Sequence, residues 1–76
     1  MSTILIIDDE PNIRRMVGAL LSAEGFTVRE AADGASGAAS AIEDEPDAIA
    51  LNPQTVEPHE ADMISRILRE IVDSER

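Results

Sequence analysis

The chain opens on Thr3-Ile4-Leu5-Ile6-Ile7, an aliphatic run that stops abruptly at Asp8-Asp9-Glu10. Continuous rather than alternating apolar character predicts a strand covered on both faces, as in a parallel sheet. Pro11 then suits the first turn of a helix, where its missing N–H costs nothing. Ile13, Met16, Val17, Leu20 and Leu21 follow at the spacing of one helical face, and Gly25 is placed to cap that helix. Phe26-Thr27-Val28-Arg29-Glu30 alternates apolar and polar, the pattern of a half-exposed edge strand.

Asp33-Gly34 marks a turn and a helix start, after which Ala35, Ala38, Ala39 and Ile42 form a weak apolar stripe. Small side chains let a helix approach a sheet closely but bury little area. Glu43-Asp44-Glu45 falls at the unfavourable end of this helix's dipole, and Pro46 terminates it. Ala48-Ile49-Ala50-Leu51 is a third short strand, closed by Asn52-Pro53. Pro58 opens a last helix with Ala61, Ile64, Ile67, Leu68, Ile71 and Val72 on one face. Glu60, Arg66, Arg69, Glu70 and Asp73 occupy the other. The order β-α-β-α-β-α predicts the α/β class: three parallel strands joined by right-handed crossovers.

Composition narrows the picture. Seventy-six residues allow a single thin domain with a narrow margin of stability. With no cysteine there is neither a disulfide framework nor a thiolate metal site. Trp and Tyr are absent and Phe26 is the one aromatic, so the core must be aliphatic. Sixteen acidic residues against six basic ones give a formal charge of −10. A surface this negative repels nucleic acid and anionic membranes, and neither is expected as a partner. No cationic segment precedes a long apolar run, and Ile4 to Ile7 is too short to span a bilayer, so a cytoplasmic location is expected. All six basic residues are arginine; there is no lysine.

Ile4-Leu5-Ile6-Ile7-Asp8-Asp9-Glu10-Pro11, followed by Ile13-Arg14, resembles the opening of response-regulator receiver domains, the flavodoxin-like modules of two-component signalling. The similarity continues through Leu20-Leu21, Gly25-Phe26, Val28 and Ala31-Ala32-Asp33-Gly34, and ends with Pro46-Asp47-Ala48-Ile49-Ala50-Leu51. It covers about fifty residues. The resemblance implies that 1–52 is receiver-like, with strand order 2-1-3, and that 53–76 is a divergent loop and amphipathic helix. The whole would be a single domain, a truncated half receiver.

The resemblance also says what to look for at the carboxyl ends of the strands, where parallel α/β sheets bind ligands. It assigns Asp8 and Asp9 to the pair of acids that help bind Mg²⁺. Position 52 is then that of the aspartate that ligates the metal and accepts the phosphoryl group. Here it is Asn52, whose neutral amide cannot form an acyl phosphate. The family further uses a hydroxyl residue after its fourth strand and a lysine after its fifth. This chain ends after the third helix and has no lysine, and the loop after Asn52 reads Pro53-Gln54-Thr55-Val56-Glu57-Pro58 rather than the usual Met-Pro and Asp-Gly pattern. No catalytic residue and no required cofactor are therefore expected, and Mg²⁺ at Asp8 and Asp9 would be weak, because the third acid is missing.

Blander readings stand beside these. Asp8-Asp9 serves equally as an acidic loop at a helix N-terminus, and Asn52 as a turn residue ahead of Pro53. His59 reads as an exposed residue in the first turn of the last helix. Arg66 and Arg69 read as ordinary surface partners of nearby acids.

In the family's strand order 2-1-3-4-5, a chain with three strands leaves strand three as a bare edge. Ala48-Ile49-Ala50-Leu51 has none of the charges or prolines that protect an edge. A second copy pairing there would build a six-stranded sheet about a two-fold axis. The expected interface is Ala48, Ile49, Ala50 and Leu51, together with Ile64, Ile67, Leu68 and Ile71. The function implied is a non-catalytic, phosphorylation-independent interaction module, homodimeric or bound to another signalling protein. Two alternatives stay open: a mini-receiver accepting phosphoryl on Asp8 or Asp9, and a relic with no present role.

Overall fold

A computed structural model describes residues 2–74, with side chains as far as residue 71. The Val72 and Asp73 side chains, expected on opposite faces of the last helix, lie outside the described residues. The order is β1 (Thr3–Ile7), α1 (Pro11–Ala23), β2 (Thr27–Ala31), α2 (Gly34–Asp44), β3 (Ala48–Leu51) and α3 (Pro58–Ser74). The three strands form one parallel sheet in the order β2-β1-β3. β1 is central, with Ile4 to Ile7 opposite Val28 to Ala31 on one side and Ala48 to Leu51 on the other. A strand paired on both edges and covered on both faces explains why its sequence does not alternate.

Each helix begins where a polar side chain satisfies an end amide. Glu10 caps α1 by accepting from the Asn12 N–H at 3.2 Å, with Pro11 in the first turn. Asp33 caps α2 by accepting from the Ser36 N–H at 2.7 Å. Glu60 reaches back from the first turn of α3 to accept from the Glu57 N–H at 3.1 Å, half of a capping box. Gly25 follows α1 at φ 95°, in the left-handed region that a helix exit favours. Glu45 takes the equivalent place after α2 at φ 46°, and Pro46 beyond it is buried.

On one side of the sheet, Leu5 and Ile7 join Ala31, Ala38, Ala41, Val56 and Ile64 in the core, with Ile49, Leu51, Ala61 and Ile67 packed against it. α2 and α3 also pack on each other. On the other side, α1 lies over β1 and β2, with Gly18 set beside Val28 and Ile6.

Three expectations about helix faces need correction. The buried stripe of α2 is Gly34, Gly37, Ala38 and Ala41, whereas Ala35, Ala39 and Ile42 are exposed. Glycine, which carries no apolar side chain for a pattern to register, makes the close contact. A Cβ at Gly37 would lie 2.5 Å from Ile7 Cδ1. Glu60 does not face solvent freely, because its carboxylate lies against Gly34, where a Cβ would collide with it. The apolar stripe of α1 is the largest departure: Ile13, Met16 and Leu20 are 40%, 55% and 64% exposed, and Gly18 is the one buried residue of that helix. Among the described residues no element covers the side of α1 that faces β3.

Candidate functional site

β1 and β3 deliver Asp8, Asp9 and Asn52 to the same end of the sheet, as the parallel topology requires. Asp8 extends the strand pairing by donating its N–H to Ala31 O at 3.1 Å. Its carboxylate turns back to accept from the Glu10 N–H at 2.9 Å, which shapes the entry to α1. The Asp8 carbonyl accepts from Arg14 Nη1 at 2.7 Å, while Arg14 Nε donates to Glu30 at 3.3 Å. Arg14 therefore ties the end of β1 to β2 through α1. The helix cap itself comes from Glu10, so the acid pair supports the cap instead of providing it.

Asp9 and Thr55, 46 residues apart, form a closed pair. The Asp9 N–H donates to Thr55 Oγ1 at 3.2 Å, and the Thr55 hydroxyl donates to Asp9 Oδ1 at 3.1 Å. This fastens the loop after β3 to the end of β1, and the burial of Val56 anchors the same loop from below. Asn52 continues the sheet by donating its N–H to Ile7 O at 2.9 Å. Its side-chain oxygen accepts from the Gln54 N–H at 3.0 Å and its carbonyl from the Thr55 N–H at 3.0 Å. That is an Asx-type turn, the role asparagine fills most readily before a proline.

The family's Mg²⁺ would need oxygen ligands here. Asp8 and Asp9 supply two carboxylates, while Asn52 offers a neutral oxygen already engaged with Gln54. Among the described residues no group of three or more acidic, histidine or cysteine side chains could hold a metal ion. Two carboxylates and one neutral oxygen carry less negative charge than three acids would, and an amide nitrogen at position 52 is no nucleophile toward phosphorus.

The remaining candidates lie apart from this end. His59 is highly exposed and 3.5 Å from Glu57, and Arg66 pairs with Asp62 across one helical turn at 3.1 Å. Of the interface candidates, Ile49 and Leu51 point to the core side and are half-buried, while Ala48 and Ala50 are exposed on the α1 side. Ile67, Leu68 and Ile71 are half-buried on α3. Ile64 is 1% exposed within this chain's own core, so its side chain is not available to a partner. A shallow groove of about 440 Å³ runs between α2 and α3, lined by Ile42, Glu45, Ile67, Glu70 and Ile71. A smaller one of about 160 Å³ lies between α1 and β3. No sequence signal pointed to Thr55 or to the Arg14 tie, since both depend on contacts between segments that only the fold brings together.

Strand order, connectivity and the acids at the strand ends define a flavodoxin-like unit of receiver type. No protein-family model matches the sequence. The chain is 32% identical over 68 residues to the probable transcriptional regulatory protein TcrX of Mycobacterium tuberculosis, covering 90% of this chain and 29% of that protein. It is 44% identical over 52 residues to the DNA-binding dual master transcriptional regulator RpaA of Synechocystis sp., covering 68% of this chain and 22% of that one. The fold matches Vibrio cholerae chemotaxis protein CheY4 with a TM-score of 0.69 and 27% identity, over 92% of this chain and 58% of that structure. The chain thus spans less than a third of the length of these two curated relatives. It belongs to the receiver domains of response regulators, in the general setting of two-component signalling.

Proposed function

We propose that this chain is a receiver-like protein–protein interaction module of two-component signalling that works without phosphoryl transfer, as a homodimer. The observation that carries the reading is Asn52. It stands at the third-strand position where the family's acceptor sits, and its side-chain oxygen closes a local turn with Gln54 instead of presenting a carboxylate. Mg²⁺ would bind at Asp8 and Asp9 weakly, with no catalytic consequence, and the setting would be cytoplasmic. Among the described residues no helix is long and apolar enough to cross a membrane.

RpaA is described as DNA-binding. This chain spans 22% of it and carries a charge of −10, so its own contacts are with protein. Homodimerisation is supported by apolar surface left open on two sides of β3: its outer edge, which lacks charges and prolines, and its α1-facing side, where Ala48 and Ala50 are exposed.

Incubation with acetyl phosphate and Mg²⁺, followed by intact mass measurement, should show no added phosphoryl group. A stable adduct mapping to Asp8 or Asp9 would overturn the reading in favour of a mini-receiver. Light scattering with refractive-index detection reads the oligomeric state of a chain without Trp or Tyr, and two chains per particle are expected.

A further inference from the structure

We infer that Thr55 competes with a divalent cation for Asp9, so that closure of the 53–58 loop and cation binding oppose each other. This rests on the reading that Asp8 and Asp9 bind Mg²⁺ weakly.

The contact at Asp9 is reciprocal. The Asp9 N–H donates to Thr55 Oγ1 at 3.2 Å, and the Thr55 hydroxyl returns a hydrogen bond to Asp9 Oδ1 at 3.1 Å. A hydroxyl can do both at once, because it carries one donor and two lone pairs. Valine has the same shape and can do neither; serine can do both. Thr55 is also fixed along its own segment. Its N–H donates to Asn52 O at 3.0 Å, and Val56 beside it is buried in the core. The loop's own fold therefore delivers the hydroxyl to Asp9.

Each of the three side chains at this end of the sheet commits one oxygen to the chain itself. Asp8 Oδ1 accepts from the Glu10 N–H, Asn52 Oδ1 from the Gln54 N–H, and Asp9 Oδ1 from Thr55. The first two bonds come from backbone amides two residues on, so they are local turns that do not depend on the rest of the fold. The third comes from a side chain 46 residues away, and it is the one that cation binding can trade against a tertiary contact. A donated proton and a cation draw on the same carboxylate charge. Mg²⁺ also demands near-ideal octahedral geometry, which a carboxylate meets only if it is free to turn. Asp9 is exposed, so solvent and ions reach it, while Thr55 restrains its orientation. By linkage, the factor by which a closed loop weakens the cation equals the factor by which the cation weakens closure.

The test uses the whole 76-residue chain with Thr55→Val, which removes the hydroxyl, and Thr55→Ser, which keeps it. Titration calorimetry with MgCl₂ should show Thr55→Val binding about tenfold more tightly than wild type, the scale of one charge-assisted hydrogen bond. Thr55→Ser should match wild type. Adding Asp9→Ala to Thr55→Val should abolish the gain, which separates capture at Asp9 from loose attraction of Mg²⁺ to a chain of charge −10. Urea unfolding in chelator of wild type, Thr55→Val, Asp9→Ala and the double variant should show the two positions coupled by about fivefold in the unfolding constant. In the wild-type chain, saturating Mg²⁺ should speed hydrogen exchange at the Asp9 amide, whose acceptor is Thr55 Oγ1. Equal Mg²⁺ affinities in wild type and Thr55→Val, or an Asp9 amide indifferent to Mg²⁺, would overturn this inference while sparing the weak-binding reading. No binding by either chain would overturn both.

Discussion

The two sides of this small sheet are built from similar amounts of apolar sequence and end in different states. On the α2 and α3 side, Leu5, Ile7, Val56 and Ile64 are at most 4% exposed, and glycines in α2 let the layers close on each other. On the α1 side, a helix with an equally regular apolar stripe leaves Met16 and Leu20 more than half exposed. The difference is one of partners. A helix face is buried only if the chain provides something on both of its flanks, and one covering helix leaves part of a three-stranded sheet open. Hydrophobic periodicity reports which face could be buried; it does not report whether a neighbour exists.

The sharpest way to break this comparison is Ile64→Ala. It removes a side chain that is 1% exposed and should cost about 2–5 kcal/mol. For a domain of this size, with total stability on the order of 4–11 kcal/mol, urea unfolding should begin at far lower denaturant or the chain should be partly unfolded without it. A change within experimental error would mean that the α3 side is no better packed than the α1 side.

Gly37→Ala probes the same side by filling instead of emptying. The new Cβ would meet Ile7, a fully buried side chain with no room to withdraw, so overpacking of about 1–3 kcal/mol should outweigh the ~1 kcal/mol gain in helix propensity. A stabilised variant would show that α2 can lift off the sheet.

Leu20→Ala is the counterpart on the open side. In dilute solution, where the chain is monomeric, it should change stability by no more than ~0.5 kcal/mol. A loss approaching that of Ile64→Ala would show that α1 is covered after all.

The smallest effect concerns acid. Hydrogen bonds from the Ser36 backbone and side chain, with a further one from the Ala35 backbone, hold the Asp33 carboxyl below its ordinary value of 3.8. Because the folded pKa is depressed, this cap stabilises the fold above the unfolded pKa and is lost as pH falls through the folded value. The melting temperature should therefore drop below about pH 4. Asp33→Asn, which keeps a capping side chain without a titrating group, should show a shallower acid loss. Identical pH profiles would remove Asp33 from that account.

Most of the architecture could be read from the residues because it depends on local chemistry. Strand β1 announced itself by an unbroken aliphatic run, the helix starts by Pro11, Asp33 and Pro58, and the exit of α1 by Gly25. Of the candidate site, Asp8, Asp9 and Asn52 were placed correctly at one end of the sheet, since parallel strands all finish on the same side. The Thr55 hydroxyl on Asp9 was not foreseen, because a contact spanning 46 residues leaves no mark in local spacing. Nor was the glycine face of α2, because glycine contributes through the side chain it lacks.

The sequence by itself thus determined the elements, their order, their parallel pairing and the neutral amide at position 52, all of which follow from residue type and near neighbours. The tertiary structure alone decided which apolar faces found cover. It buried Ile64, a residue expected at an interface, and left the α1 stripe open, because burial depends on what the rest of the chain places opposite a surface.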